Sequence, residues 1–474
     1  MYAFALLSTL AQVDCASLVS ARTVDGRVTA AVPVPAANGL PAYCRVVVVI
    51  KPAINFELRL PIEGWNGKFY MAGCGGFCGK VDADRPGYTN GINHALKRGY
   101  AVSSMDSGHE GNAVWDGRWA LNNRDAEIDW GHRAAHVTAE ASKVIVRAFY
   151  GDKARYSYFA GCSTGGRMAS MEAWRYPEDF DGIINGAPAL DYTGLVASHL
   201  AWIVQSNTDD SGKPILGPET MKLVSAAVYA ACDSVDGRKD GLIDDPRACT
   251  WRPRSLACGD QASGCLSPAE VKVLEKWYDG AKDSRGRQLY PGGIPLGSEP
   301  YWPAWLGGSP SVGRRFADDF LRYMAFADDP GEGYTALGFD FDRDPARLAP
   351  LAEIYNSDNP DLTGFRKRGG RMIIYHGWAD PLVTPFKTLD YFAQVTARLG
   401  KDSAKETVRL FLLPGYDHCG LQQNPGAGDS EKDIDWLTAL ENWVEKGVAP
   451  EKIRMTRHDA AGNVIWSREV RREP

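Results

Sequence analysis

Short apolar runs rich in β-branched residues alternate along the chain with longer stretches in which apolar residues recur at helical spacing. The runs have the length of buried strands and contain few charges. This order of elements is typical of an α/β fold, with a mostly parallel sheet covered by helices on both faces. The clearest predicted strands are Arg45–Ile50, Lys68–Met71, Tyr100–Ser104, Tyr156–Ala160, Arg371–Tyr375 and Thr407–Leu413, and the clearest predicted helices are Asp129–Tyr150 and Gly166–Arg175.

The stretch from about residue 190 to 362 breaks this pattern. It has few strand signals, many proline and tryptophan residues, and four of the ten cysteines. A strand–helix–strand unit takes roughly 30 residues, so the interval between the strands predicted at Tyr156 and Arg371 is far too long for an ordinary crossover. We therefore predict the first part of an α/β core over residues 1–189, an inserted domain over 190–362 and the second part of the core over 363–474.

The composition is that of a folded protein without a nucleic-acid or membrane partner. Hydrophobic residues make up 44% of the chain and charged residues 24%, which excludes wholesale disorder. The net charge is −6 and no basic block is present, which argues against nucleic acid or an anionic membrane as a partner. No apolar run approaches the roughly 20 residues of a membrane span. The sequence gives no indication of oligomeric state.

The cysteines indicate an oxidising compartment. Their number is even, ten, no C-x-x-C pair is present, and histidine is scarce, so a zinc cluster is disfavoured and a disulfide framework is favoured. We therefore predict a secreted or periplasmic protein. The first twelve residues form a short apolar stretch without a basic residue, which fits either the remnant of a signal peptide or a first helix.

A G-x-S-x-G pattern at Gly161–Gly165 carries the strongest chemical signal. A predicted strand runs into it and a predicted helix follows, as in the strained turn that projects a nucleophilic serine from a sheet. Small flanking residues permit the close backbone approach, and the new helix supplies N–H groups to an oxyanion. Only Ser163 is in frame with both glycines, so we predict that Ser163 is the nucleophile and Cys162 is not.

An acid and a histidine are expected after later strands, in that order. Asp380 lies in the turn after the strand at Arg371–Tyr375, and His418 lies in the loop after the strand at Thr407–Leu413. Ser163 would attack a carbonyl, His418 would act as base and then as acid, and Asp380 would orient the imidazole. His376 and Asp417 are the alternative residues for these two roles.

A glycine-rich loop, residues 73–79, follows the strand at Lys68–Met71. An oxyanion hole needs two N–H donors, and we assign one to Thr164, the residue after the nucleophile. The second would come from Gly75 or Gly76, between which the sequence does not choose. The loop lacks the G-x-G-x-x-G and Walker patterns of phosphate binding.

With these residues assembled, the chain resembles the tannase/feruloyl esterase family of α/β-hydrolases, which includes enzymes similar to mono(2-hydroxyethyl) terephthalate hydrolase. The likeness rests on Cys162-Ser163, Asp380, His418-Cys419 and the segment Tyr176–Ala189, and it covers nearly the whole chain. It implies an α/β-hydrolase core, a lid formed by the insertion, and a disulfide between Cys162 and Cys419. That disulfide would join the neighbours of Ser163 and His418 and restrain the distance between them.

The same resemblance implies a structural calcium site in the lid. The matching segment is Asp233–Asp244, which concentrates carboxylates and glycines as a hard, oxygen-liganded cation requires. No organic cofactor is implied. The implied ligands are the side chains of Asp233, Asp236 and Asp240 and the carbonyls of Arg238 and Leu242.

The remaining cysteines are then expected to pair locally. Cys232 would bond Cys249 across the base of the acidic loop, Cys258 would bond Cys265, and Cys15 would bond Cys44. By elimination, Cys74 and Cys78 would pair within the glycine-rich loop. This arrangement differs from that of many relatives, which have another cysteine pair near the C-terminus.

The activity that the resemblance implies is hydrolysis of small esters of aromatic acids, feruloyl or other hydroxycinnamoyl esters first. Gallate esters and mono(2-hydroxyethyl) terephthalate are the alternative substrates. Two alternatives belong to other classes of protein. The family match disfavours a secreted serine peptidase, and the complete triad disfavours a calcium-dependent glycan-binding module. Four aromatic residues of the insertion are candidates for the ring pocket, namely Trp302, Trp305, Phe316 and Phe320.

Overall fold

The computed structural model describes residues 14–259, 263–423, 431–459 and 461–474. The apolar stretch at the N-terminus lies outside these ranges. The strands are β1 (Arg22–Thr23), β2 (Gly26–Val34), β3 (Tyr43–Ile50), β4 (Ile54–Pro61), β5 (Lys68–Ala72), β6 (Ala101–Met105), β7 (Tyr156–Cys162), β8 (Gly182–Gly186), β9 (Arg371–Gly377), β10 (Val408–Leu413), β11 (Lys452–His458) and β12 (Val464–Arg471).

The helices lie mainly between β6 and β10. They are α1 (Asn93–Lys97), α2 (Arg124–Ile128), α3 (Ala134–Tyr150), α4 (Thr164–Arg175), α5 (Ala201–Ser206), α6 (Pro218–Cys232), α7 (Pro268–Asp279), α8 (Trp302–Trp305), α9 (Val312–Tyr323), α10 (Ala349–Tyr355), α11 (Thr363–Lys367), α12 (Pro385–Leu399), α13 (Lys401–Thr407) and α14 (Trp436–Lys446). The predicted helix at Asp129–Tyr150 begins as a π-helical turn at Asp129–Arg133 and continues as α3.

In the described residues, ten strands form one sheet in the order β1-β2-β3-β4-β6-β5-β7-β8-β9-β10, and β11 and β12 form a separate hairpin. The six strands β6, β5, β7, β8, β9 and β10 pair in parallel. Strands β1 to β4 form an antiparallel extension, in which β4 pairs with β6. Strands β6, β8 and β10 are buried from end to end, and β5, β7 and β9 are buried from their second residue onward, because helices cover both faces of the parallel sheet. All six predicted strands are present, with bounds that differ by a few residues.

Between Gly186 and Arg371 the described residues add no strand to the sheet and instead contain α5 to α11 with two disulfides. The predicted division at residues 189 and 362 stays a prediction. No helix in the described ranges has both the length and the apolarity needed to cross a bilayer.

All ten cysteines are described and form five disulfides. Each predicted pair is present: Cys15–Cys44, Cys74–Cys78, Cys162–Cys419, Cys232–Cys249 and Cys258–Cys265.

Candidate active site

Ser163 lies in a strained turn between β7 and α4. Its φ of 65° and ψ of −121° are rare for a residue with a side chain. The flanking glycines make this turn possible, because a Cβ on Gly161 would lie 2.3 Å from the backbone of Gly165, and one on Gly165 would lie 2.4 Å from Asn90 Oδ1. The half-buried hydroxyl of Ser163 therefore projects from the carboxyl end of the parallel sheet.

The loops after the neighbouring strands bring Asp380 and His418 to this point. His418 Nε2 lies 2.9 Å from Ser163 Oγ, and His418 Nδ1 lies 2.6 Å from Asp380 Oδ2. Asp380 Oδ1 accepts hydrogen bonds from the backbone N–H groups of Leu382 and Val383, at 3.0 and 2.9 Å. These bonds hold the carboxylate so that its other oxygen faces the imidazole, and the three predicted residues form a continuous hydrogen-bonded chain.

The electrostatics of this chain favour an ionised Asp380 beside an imidazole that readily accepts a proton. Burial raises the pKa of Asp380, but the charge of His418 and hydrogen bonds from His376 and His418 outweigh burial and bring that pKa to about 2. Burial lowers the pKa of His418, while the charge and hydrogen bond of Asp380 outweigh burial and raise it above its ordinary value. Asp380 is therefore the main group that raises the pKa of His418, and the charge of Asp417 acts in the same direction.

The two alternative residues are buried beside the site without contacting Ser163. His376 Nδ1 lies 2.8 Å from Thr388 Oγ1, and its Nε2 lies 2.7 Å from the carbonyl of Val383. Asp417 accepts a hydrogen bond from Trp305 Nε1 at 3.2 Å. Burial and the charge of Asp380 raise the pKa of Asp417 to about 7. His376 and Asp417 are therefore engaged by these neighbours, and neither takes the place of His418 or Asp380 beside Ser163.

The glycine-rich loop faces Ser163 across the cleft. Gly75, Gly76 and Ser163 all line the cleft, and Thr164 is the first residue of α4, where a helix has unpaired N–H groups. Gly76 has a φ of 61°, and a Cβ there would lie 2.3 Å from the carbonyl oxygen of Val114, so only glycine fits. The Cys74–Cys78 disulfide closes this loop.

The disulfide between Cys162 and Cys419 joins the residue before Ser163 to the residue after His418. It links positions 257 residues apart, and both cysteines are buried. Asn90 holds the same stretch of backbone from the other side, because its side chain accepts from Cys162 N at 3.0 Å and donates to Cys162 O at 3.2 Å. No motif around Asn90 predicted this role.

The cleft has two lobes that meet at Ser163, Gly76, Phe316 and Leu382. One lobe is apolar and adjoins Thr164. The other contains His418. The residues of the first lobe alone are Thr164, Ala189, Tyr192, Leu195, Val196, Leu200 and Val383, and those of the second alone are Gly75, Arg85, Asn90, Val114, Trp115, Trp305, Val312, His418, Cys419 and Leu421.

Two of the four predicted pocket aromatics reach the cleft. Trp305 packs edge-on against the imidazole of His418, with 5.4 Å between ring centroids, and Phe316 lines both lobes. Trp302 is instead fully buried against Trp277 and donates to Ser298 Oγ. Phe320 is also fully buried, against Tyr192 and Tyr355, so neither Trp302 nor Phe320 is a lining residue.

The acidic loop at Asp233–Asp244 is exposed and closed at its base by Cys232–Cys249. Asp233 Oδ1 accepts from the backbone N–H groups of residues 240 and 241, and Asp240 forms an ion pair with Arg468. The oxygen donors of this loop suit calcium. In the described residues, however, the ligand atoms of its side chains do not converge: the one group of three metal-ligating side chains within 4.8 Å of one another is His136, Glu172 and Asp179.

Comparisons with known proteins agree with the fold and the site. The family model described as tannase and feruloyl esterase matches residues 39–474. An uncharacterized esterase of Xanthomonas campestris pv. campestris is 33% identical, over 98% of this chain and 88% of its own length. The mono(2-hydroxyethyl) terephthalate hydrolase of Piscinibacter sakaiensis is 32% identical, over 88% of this chain and 78% of its own.

A solved structure also matches the fold over nearly its whole length. The crystal structure of feruloyl esterase B from Aspergillus oryzae superposes with a TM-score of 0.84 and 27% identity, covering 97% of this chain and 95% of that one. The family match covers far more than half of the sequence, and the relatives are named esterases. The chain therefore belongs to the tannase and feruloyl esterase family and is a carboxylic ester hydrolase with an α/β-hydrolase fold.

Proposed function

We propose that the protein is a secreted or periplasmic serine esterase that hydrolyses esters of aromatic acids, with feruloyl and other hydroxycinnamoyl esters as its main substrates. The observation that carries this proposal is the hydrogen-bonded chain Ser163–His418–Asp380 opening into a cleft lined by aromatic side chains. The five disulfides support the oxidising compartment.

In the proposed reaction, Ser163 Oγ attacks the ester carbonyl carbon while His418 Nε2 takes the hydroxyl proton. The N–H groups of Thr164 and Gly76 or Gly75 donate to the oxyanion that forms. The carbon–oxygen bond to the alcohol then breaks, and His418 returns its proton to the alcohol oxygen. Water, activated by the same imidazole, hydrolyses the acyl-enzyme and releases the aromatic acid.

The apolar lobe beside Thr164 is the proposed site of the aromatic acid. Tyr192 and Phe316 provide ring surfaces there, which favour stacking with a planar acyl group. The similarity to a feruloyl esterase structure supports the hydroxycinnamoyl assignment, and the terephthalate hydrolase among the relatives makes mono(2-hydroxyethyl) terephthalate the second candidate.

Calcium at the acidic loop is a separate proposal. The carboxylates of Asp233, Asp236 and Asp240 and the carbonyls of Arg238 and Leu242 would hold the ion, with a stabilising role only. The support is the density of oxygen donors on one exposed loop.

A substrate panel tests the function. We expect methyl ferulate to be hydrolysed with a higher kcat/KM than methyl gallate, mono(2-hydroxyethyl) terephthalate or a peptide. Ser163→Ala should lower kcat by a factor on the order of 10⁴ or more while circular dichroism stays unchanged.

Ser211→Ala is the control, because Ser211 is exposed in the loop after α5 and is not among the lining residues of the cleft. Comparable turnover by Ser163→Ala and Ser211→Ala would refute the mechanism. A preference for gallate, terephthalate or peptide would replace the substrate assignment.

A further inference from the structure

Arg85 is the only lysine, arginine or carboxylate residue among the described residues that line the two lobes of the cleft. It is half-buried in the lobe that contains His418, and its neighbours there are otherwise mainly apolar and aromatic. A charge in such surroundings is less well solvated than one on an open surface, so it gains more from an anionic partner.

The guanidinium of Arg85 has no partner within the described ranges, in either hydrogen bonds or ion pairs. The two nearby carboxylates in the sequence are engaged by other cations: Asp82 pairs with Lys80 at 3.2 Å, and Asp84 pairs with Arg59 at 2.8 Å. Among the residues that the structure describes, no group neutralises the charge of Arg85 inside the cleft.

The guanidinium fork lies beside the glycine-rich loop. Both of its terminal nitrogens lie 3.9 Å from the position that a Cβ would occupy on Gly75. A planar fork with two parallel donors matches the two oxygens of a carboxylate, which a lysine ammonium does not. The chemistry of the site therefore favours a carboxylate as the bound group.

The position of His418 indicates which part of the ester meets Arg85. In the proposed mechanism the imidazole returns its proton to the oxygen of the leaving alcohol, so the alcohol must lie on the His418 side of Ser163. Arg85, Cys419 and Leu421 line that same lobe, whereas the apolar lobe lacks both His418 and Arg85.

We propose that Arg85 binds a carboxylate carried by the leaving alcohol, so that the preferred substrates are aromatic-acid esters of hydroxy acids. The inference rests on the proposed function and names the alcohol half of its substrate. Arg85 is then a specificity-determining residue that acts on substrate binding and orientation and takes no part in proton transfer.

A matched pair of feruloyl esters tests this inference. One is the feruloyl ester of 3-hydroxypropanoic acid, and the other is the feruloyl ester of 3-hydroxypropanamide, which is similar in size and neutral. The wild-type enzyme should prefer the acid over the amide in kcat/KM by about 10- to 100-fold, the effect of one charge-assisted contact. Arg85→Gln should bring this ratio toward unity, and Arg85→Lys should retain part of it.

Arg315→Gln is the matched control. Arg315 is exposed and stacks on the ring of Trp115, which lines the cleft, but Arg315 does not line the cleft itself. Its removal takes away the same charge near the site and should leave the ratio of acid to amide as in the wild type. Equal loss of the ratio in both variants would replace direct contact with a general field effect and overturn the inference.

Each other outcome is decisive. If Arg85→Gln lowers both rates equally, Arg85 has a structural role and the inference is wrong. If the wild type shows no preference between the two esters, the inference fails while the esterase function stands. If neither feruloyl ester is hydrolysed, the proposed function fails first and the inference fails with it.

Discussion

At the scale of the residue, the proton affinity of His418 is a property of its pairing with Asp380. The imidazole must be neutral to accept the Ser163 proton, so activity is lost when the pH falls below its pKa. Asp380 stabilises the protonated imidazole through charge and a 2.6 Å hydrogen bond, and this raises the pKa. The same contact holds the imidazole in the orientation in which Nε2 faces Ser163.

We therefore expect kcat/KM to rise with pH through a midpoint above 6.5, the ordinary value for histidine. Asp380→Asn should move this midpoint to lower pH and reduce kcat by a factor on the order of 10⁴. A pH–rate profile measures both effects. Asp390→Asn, which alters a half-buried carboxylate on α12, should change neither. An unmoved midpoint in Asp380→Asn would exclude Asp380 as the partner of His418.

At the scale of the element, two loops at one edge of the sheet must keep a fixed separation. Ser163 follows β7 and His418 follows β10, and two strands, β8 and β9, lie between these in the sheet. The Cys162–Cys419 disulfide spans that gap next to both residues. In the chain-entropy model, closing so long a loop also stabilises the fold by about 5 kcal/mol.

Removing this disulfide should therefore affect catalysis before it unfolds the protein. We expect the double variant Cys162→Ala/Cys419→Ala to lose about a hundredfold in kcat/KM, because catalysis is sensitive to ångström-scale displacement. The control is Cys15→Ala/Cys44→Ala, whose disulfide joins the N-terminal segment to β3, is not among the residues that line the cleft, and should affect stability alone. The measurements are ester hydrolysis and thermal unfolding. Equal activity of the two double variants would contradict the proposed role.

At the scale of the whole molecule, the acidic loop contacts two separate parts of the C-terminal portion of the chain. Leu242 packs against Gly415, three residues before His418. Arg468 of β12 binds Asp240 and Asp244. Order in this loop should therefore support the packing of the segment between β8 and β9, and of the C-terminal hairpin, against the core.

If calcium binds this loop, chelation should lower the Tm and added calcium should restore it. A ligand present at a hundred times its Kd stabilises the folded state by about 2.7 kcal/mol. Activity at low temperature should fall less than stability, because the loop does not touch Ser163. Asp233→Asn should abolish the response to calcium, whereas Asp210→Asn, in the exposed loop after α5, should retain it. A melting curve unchanged by exhaustive chelation would remove the calcium proposal.

Local signals carried most of the prediction. The turn at Ser163 is readable because its shape depends on neighbours in the chain, namely the strand, two glycines and the new helix. Five of the six parallel strands are readable because burial on both faces requires continuous apolar runs. The sixth, β8, was not predicted, because two glycines and Asn185 interrupt its short apolar run. β4 was missed because it contains Glu57 and Arg59, which are buried as an ion pair at 2.8 Å. Arg45 of β3 also pairs with Glu57, and Asp84 also pairs with Arg59, so the partners that neutralise these buried charges are brought together only by the tertiary structure.

The sequence by itself determined the fold class, the triad residues and their order, since each depends on a local pattern or on the resemblance that those patterns revealed. The tertiary structure alone decided which side chains line the cleft. Trp302 and Trp305 lie on one short helix, yet the first packs against Trp277 and the second faces His418. Asn90 and Arg85 lie far from Ser163 in sequence and belong to no motif. Their positions follow from how distant loops converge at the sheet edge, which no local pattern encodes.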